Sequence, residues 1–326
     1  MAFETFLNTV SRRRREMPVS DIIFDKRGFM GALREKGDIK SGVSGSFPLI
    51  PFRTSRIDTA DAGAAGMWDG GDKQLVYTQQ NTVESGTTPW KYIQAQIYVV
   101  ENEKIKNQGK EQVISIVDER EKSLTMRFDE ILEEQWINQS GTGLNLAGLP
   151  AFMNNTDATY LGGVDLTAAA KQPLIVAIGA PLSSLTLDHI NRAFSLTADG
   201  DMQIDCFIGP QTFLQQVRSL VLPQQRFNTG GNTWTLGPSG LNWMGEAPFK
   251  VSRYLRYTPG TTTELKVAYG LNMKTIKQRM AYSGDGIRKS EWFHVSSTIS
   301  TYAKTATMPL YTYCDDPHEN AKFTWT

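Results

Sequence analysis

The sequence predicts an α+β fold in which one very long helix is set among strand-rich stretches. Residues 110–137 carry apolar side chains at helical spacing without a break, and residues 90–100 and 291–316 alternate apolar and polar in the period of a strand. A third observation bears on organisation. Residues 28–42 and 58–73 are rich in glycine and small side chains, and neither sustains a period long enough to form a core of its own.

In chain order, residues 1–45 read as an N-terminal arm. Glu4 to Val10 suits a short helix, and a run of four arginines follows, Arg12, Arg13, Arg14 and Arg15. The arm is a segment built to lie across something. Residues 46–89 read as an extended β-hairpin loop. FPLIPFR (47–53) contains two prolines, which cannot donate to a ladder and so suit an exposed strand. DTADAGAAGMWDGGDK (58–73) is the wide tip, and QLVYTQQ (74–80) is the expected returning strand. A long hairpin is marginal on its own in water and calls for a partner surface.

WKYIQAQIYVV (90–100) reads as a strand rich in β-branched and aromatic residues, and leads into the helix of 110–137. Val113, Val117, Leu124, Phe128, Ile131, Leu132 and Trp136 mark its apolar face, while Glu119, Glu121, Glu133 and Glu134 mark the charged one. A helix over this span is a rod of roughly 42 Å. Residues 141–180 read as short loops and strands. Next come a helix at 185–196, a buried strand at 202–209, and a helix at 210–222 opened by Pro210, whose missing N–H costs nothing there. A Gly/Asn/Thr/Pro loop is expected at 223–240. Further strands follow in LNWMGEAPFKVSRYL, in TELKVAYGLNMKTIKQRM and in the alternating segment 291–316.

Composition excludes several classes. The chain has 326 residues and 40% hydrophobic residues, enough for a packed core, so disorder is not its main state. Two distant cysteines, Cys206 and Cys314, give neither a disulfide framework nor a thiolate metal cage, and fit a reducing cytoplasm. No segment is long and apolar enough to span a bilayer, and the N-terminus lacks the pattern of a secretory signal. A soluble protein without a membrane role is expected.

The net charge is zero, but its parts are unequal. Residues 1–40 carry nine basic and six acidic side chains, and residues 247–326 carry eleven and six. Residues 101–137 carry six basic and ten acidic. Basic ends around an acidic middle can steer one copy onto another, or the signs can cancel within one subunit. The Arg12–Arg15 run is open to three readings: contact with phosphates, pairing with acidic side chains of a neighbouring copy, or solvation.

No catalytic constellation stands out. No phosphate-binding loop, dinucleotide fingerprint or nucleophile elbow is present. His189, His294 and His318 are scattered and read as structural. Asp199, Asp201 and Asp205 lack the glutamate and glycine of a calcium loop. DDPHEN (315–320) reads as a solvated polar tail. No cofactor and no metal are expected.

The order of parts carries a family resemblance. The strand WKYIQAQIYVVENEKIKNQGKEQV leading into the long helix, GLPAF (148–152) followed by YLGGVDL (160–166), and IDCFIGPQTF (204–213) together resemble the major capsid protein of tailed double-stranded DNA phages, the HK97-like fold, over essentially the whole chain. The resemblance implies an N-arm (1–45), an extended loop (46–89), a peripheral domain (90–184 and 295–326) with its spine helix at 110–137, and an axial domain (185–294). It implies a non-enzymatic protein that assembles with itself into pentamers and hexamers of an icosahedral shell around packaged double-stranded DNA, without sequence-specific contacts. Scaffold, portal and decoration proteins would be its other partners, the virion its location, and the host cytoplasm its place of assembly.

Candidate contact residues between copies are Arg12–Arg15, Trp68 and Lys73 at the hairpin tip, and Glu119, Glu121, Glu133 and Glu134. Some relatives begin with a scaffolding segment, whereas this sequence enters the arm directly. Some cross-link a loop lysine, for which Lys73 is the one candidate between residues 41 and 90. An encapsulin-like compartment shell and an α/β hydrolytic enzyme are the alternative readings.

Overall fold

The computed structural model describes residues 28–45, 49–53, 83–101, 116–167, 171–179, 181–198, 203–225, 234–237, 240–243, 247–255, 265–284, 286–295 and 301–326. The elements run α1 (Phe29–Lys36), β1 (Asp38–Lys40), β2 (Leu49–Arg53), β3 (Val83–Thr87), β4 (Lys91–Val100), α2 (Ile116–Asn138), α3 (Leu149–Phe152), β5 (Leu174–Gly179), α4 (Leu187–Thr197), β6 (Cys206–Gly209), α5 (Gln211–Gln225), β7 (Trp234–Gly237), β8 (Gly240–Trp243), β9 (Ala247–Val251), β10 (Val267–Leu271), β11 (Ile276–Met280), β12 (Arg288–Lys289), β13 (Phe293–His294), β14 (Thr301–Cys314) and β15 (Ala321–Trp325). The fold is α+β. Among the described residues no helix is long and apolar enough to cross a membrane.

Helix α2 forms because neither glycine nor proline interrupts residues 110–140 and because one stripe of it is apolar. Leu124, Phe128, Leu132 and Trp136, each four residues apart, are buried, with Ile137 beside them. The described helix spans about 35 Å. The start expected at residue 110, and Val113 with it, lie outside the described residues. Trp136 packs on Phe29 of α1 with ring centroids 5.5 Å apart, and its indole N–H donates to Gln278 Oε1 at 3.1 Å. At the far end, Gly148 N–H donates to the Gln139 carbonyl at 3.1 Å. A Cβ at Gly148 would stand 2.4 Å from the Trp136 carbonyl oxygen and 2.5 Å from that of Gln135, so only glycine lets this loop close over the helix terminus.

Two sheets organise the rest. In the six-stranded sheet, β14 is central: β4 pairs with it antiparallel along its whole length, and β11, β12 and β13 pair with it in succession. Strand β1 adds to β11 in parallel. The odd residues of β4 (Ile93, Ala95, Ile97, Val99) face inward, and the even residues Tyr92, Gln94, Gln96 and Tyr98 are exposed. The seven-stranded sheet has the order β5-β15-β10-β6-β9-β8-β7, with parallel pairing at β5/β15 and β6/β9. Strand β6, buried at all four positions, is a continuous apolar run for that reason. Helices α4 and α5 cover one face of this sheet. Phe207 stacks on Phe249 at 4.5 Å there, and Phe213 lies 5.7 Å from Phe323.

Several expectations need correction. Within the expected arm, residues 28–40 form elements of the subunit's own fold. Phe29, Met30, Ala32 and Leu33 of α1 are buried against α2, and Asp38–Lys40 is a strand of the sheet. Glycines at 28, 31 and 37 hid this short helix. The strand returning to Leu49–Arg53 is Val83–Thr87, whose VESGT sequence has little strand propensity of its own; pairing and the close fit of Gly86 under Phe52 hold it. The expected return at 74–80 lies outside the described residues. GLPAF contains helix α3, not loop or strand. Trp234–Gly237, placed in the expected loop of 223–240, pairs with β8, Trp234 opposite Trp243.

The sheets also cut across the expected divisions at 184/185 and 294/295. Strands β5 and β15 join the seven-stranded sheet, while β11, β12 and β13 join the six-stranded one.

Candidate assembly surface

The charged face of α2 is the first place to look for contacts between copies, and the fold commits part of it internally. Glu121 accepts from Lys304 Nζ at 2.6 Å, and that lysine also lies 5.8 Å from the Trp292 ring. Glu133 accepts from Ser252 Oγ at 2.6 Å and from the Phe29 N–H at 3.4 Å, so it caps the start of α1 in place of a local side chain. Gly28 leaves room for it, since a Cβ there would stand 2.7 Å from the carboxylate. Glu134 is half-buried on the same helix. Glu119 lies in the helix, but its side chain is outside the described atoms, as are Arg12, Arg13, Arg14, Arg15, Trp68 and Lys73 altogether. Among the described residues, Glu121 and Glu133 are each tied to a partner within the subunit.

A charge cluster that no sequence motif marks ties β1 to the sheet. Arg279 donates to the Asp38 carboxylate at 2.7 Å and to the Asp38 carbonyl at 2.7 Å. Lys277 bridges Asp38 and Asp315, at 3.2 Å to each. Burial raises the Asp38 carboxyl, but the hydrogen bonds from Arg279 and Lys277 outweigh it and hold the group below its ordinary value. Asp315 is raised, because burial prevails over the same lysine. The signal was present only as an alternation of charge along TIKQRM, which sequence spacing cannot pair with Asp38, 241 residues away from Arg279.

Both cysteines are free and buried, and burial pushes the Cys206 thiol up to about 12. His189 accepts the Thr186 N–H through Nδ1 at 3.1 Å and completes a helix cap. His294 sits edge-on to Tyr302 at 5.6 Å. Among the described residues no three His, Cys, Asp or Glu side chains are placed to hold a metal. A cleft of about 330 Å³ is lined by Lys36, Gln203, Ile204, Asp205 and Lys274, with Lys36 donating to the Asp205 carbonyl at 3.0 Å. It contains no nucleophile–base pair.

What the described surface does offer is a sheet face. Tyr92 is 69% exposed and Tyr98 44%. Phe293 occupies the same rung as Tyr98 across Ala303 and is also exposed. Among the described residues no strand pairs with the far edge of β4. Leu144, at the tip of the loop closed by Gly148, is 94% exposed. Exposed aromatics on a long edge strand are a surface other chains can add to.

No protein-family model matches the sequence, and no curated protein matches it. Solved structures do match the fold. The capsid asymmetric unit of cyanophage A-1(L) aligns with a TM-score of 0.65 at 12% identity, covering 95% of this chain and 96% of that one. The capsid of a native GTA particle aligns at 0.61 and 11% identity, covering 95% of both chains. The holo-SrpI encapsulin complex from Synechococcus elongatus PCC 7942 aligns at 0.54 and 9% identity, covering 97% of this chain and 94% of that one. With a long helix over a six-stranded sheet, a second sheet backed by two helices, and end-to-end coverage in both directions, this chain has the HK97-like fold found in phage capsid shells.

Proposed function

We propose that this protein is the major capsid protein of a tailed double-stranded DNA phage. One observation carries the reading: the fold matches phage capsid chains over about 95% of both partners. The buried cysteines and cap-bound His189 fit a structural role. Many copies would build pentamers and hexamers of an icosahedral shell. Each specific contact would bury on the order of 1,200–2,000 Å².

The domain division follows the sheets. The peripheral part is built on the six-stranded sheet and α2, and the axial part on the seven-stranded sheet with α4 and α5. The proposed hairpin loop would start and end at the paired strands β2 and β3. Contacts between copies use Arg12–Arg15, Trp68, Lys73 and the exposed face of β4. Zero net charge suits a container that must fill and empty, since phosphate binding strengthens with each neutralising Lys or Arg. Scaffold, portal and decoration proteins complete the proposed partners, and assembly takes place in the host cytoplasm.

Electron microscopy of the expressed protein tests the reading. Closed shells, tubes or capsomers are expected. A compact monomer that persists at high concentration, alone and with its neighbouring gene products, would overturn it. The encapsulin likeness supports a second reading, a compartment for protein cargo. Shells from the native source that protect double-stranded DNA from nuclease favour the phage reading, and shells filled with one protein favour the compartment.

A further inference from the structure

The chain passes between the two sheets three times, and all three passages meet at one buried asparagine. The first, through α2 and α3, ends where the Leu174 N–H donates to the Asn320 carbonyl at 3.1 Å. The second runs from β10 to β11 through residues 272–275. The third runs from β14 to β15 through residues 315–320. The last two lie side by side, with the Asp315 N–H donating to the Thr275 carbonyl at 2.9 Å.

Side chains close the junction. Asn320 Oδ1 accepts the Asn272 N–H at 2.9 Å, and its Nδ2 donates to the Asp316 carbonyl at 3.0 Å and to Thr275 Oγ1 at 3.2 Å. Asn272 Nδ2 donates to the Glu319 carboxylate at 2.7 Å, and Thr275 Oγ1 donates to the Asn272 carbonyl at 2.9 Å. The Asn272 side chain also accepts from the Lys274 N–H at 3.1 Å. From the core side, the Tyr160 hydroxyl accepts the Cys314 N–H at 3.0 Å. Asn320 is 0% exposed, Asn272 1% and Thr275 4%.

Five polar side chains removed from water at one point carry a desolvation cost that only a fully made network offsets. An apolar junction would hold the strands as well, but it would leave their relative angle to packing alone. A network of directional bonds fixes it.

We propose that this knot (Asn272, Thr275, Glu319 and Asn320) is a positioning device that locks the two sheets into one rigid body, so that the subunit enters the shell as a single plate. The assembly clause rests on the proposed capsid function; the rigid-body clause does not.

Hydrogen exchange on the purified full-length chain separates these possibilities. Thr275→Val removes one hydroxyl at nearly constant volume, Asn320→Ala removes the centre, and Thr275→Ser keeps the hydroxyl. In both disruptive variants the amides of Leu174, Asn272 and Asp315 are expected to exchange about ten- to a hundred-fold faster. Amides in the middle of β14 and β6 should stay near the wild-type rate, and Thr275→Ser should restore protection. Asn320→Ala is dispensable if it does not fold, because Thr275→Val carries the test.

Parallel loss of protection across both sheets would reduce the knot to a general stabiliser and overturn the proposal. So would unchanged exchange, or a Thr275→Ser variant as loose as Thr275→Val. Shell yield is the second readout. If wild-type chain forms shells and a locally loosened Thr275→Val chain forms them equally well, the assembly clause fails while the capsid reading stands. If wild-type chain stays a compact monomer at high concentration, alone and with its neighbouring gene products, the capsid reading fails and the exchange result still decides rigidity.

Discussion

Asp38 shows how single residues seat the N-terminal segment. Strand β1 makes only three register pairs with β11, Asp38 opposite Lys277, Ile39 opposite Gln278 and Lys40 opposite Arg279. So short a strand is held largely by its side-chain anchor. Because the Asp38 carboxyl lies below its ordinary value of 3.8 in the folded chain, its contribution is complete above that value and is lost as pH falls through the lowered one. Asp315, raised by burial, runs the other way: its burial costs stability at neutral pH, and protonation in acid relieves it. Asp38→Asn is therefore expected to destabilise the chain by about 1–3 kcal/mol at neutral pH, with the gap to wild type narrowing on acidification. Thermal unfolding at about pH 7 and about pH 3 checks this, and a gap that stays constant would show that the carboxylate charge is not what holds β1.

At the scale of elements, periodicity located the long helix and its end, expected at residue 137 and found at Asn138. The stripe of Leu124, Phe128, Leu132 and Trp136 is legible because an amphipathic helix must repeat near 3.6 residues to bury one face. The seal over its C-terminus is not legible, since nothing in GLNLAGLP says that Gly148 presses on the last carbonyls. Gly148→Ala is expected to cost about 1–3 kcal/mol in denaturant unfolding, because the Cβ would meet backbone oxygens that belong to a rigid helix and cannot swing aside. The same substitution at Gly143, where nothing lies within 4 Å, would meet no such clash and serves as the comparison, apart from the strain of its positive φ of 62°. Helix α1 and strand β3 were missed for a related reason. Each is short and weak in propensity, and each exists because a neighbour supplies the buried face or the ladder.

At the scale of the molecule, the two sheets share one long strand-to-strand logic. Strand β14 gathers four partners into the six-stranded sheet, then hands the chain through the knot to β15, which sits between β5 and β10 in the other. The arginine run is among the proposed contacts between copies, so its removal should separate folding from association. Changing Arg12–Arg15 to Ala is expected to lower shell yield several-fold while leaving the unfolding midpoint of the subunit unchanged, read by electron microscopy and by denaturant unfolding of the unassembled chain. Equal yield would remove the run from the set of contact residues.

The sequence by itself determined the kinds of element and their order: alternation marked β4 and β14, and helical spacing marked α2. Even the family likeness rested on that order, because periodicity is a property of neighbours along the chain. Only the tertiary structure decided what pairs across it. DDPHEN looked like a solvated tail, yet Glu319 and Asn320 are buried at the junction of the sheets, and Glu133 and Glu121 make ties within the subunit that their place on a charged helix face did not announce. These roles depend on partners 45 to 183 residues away, and the spacing of residues along the chain holds no record of such distances.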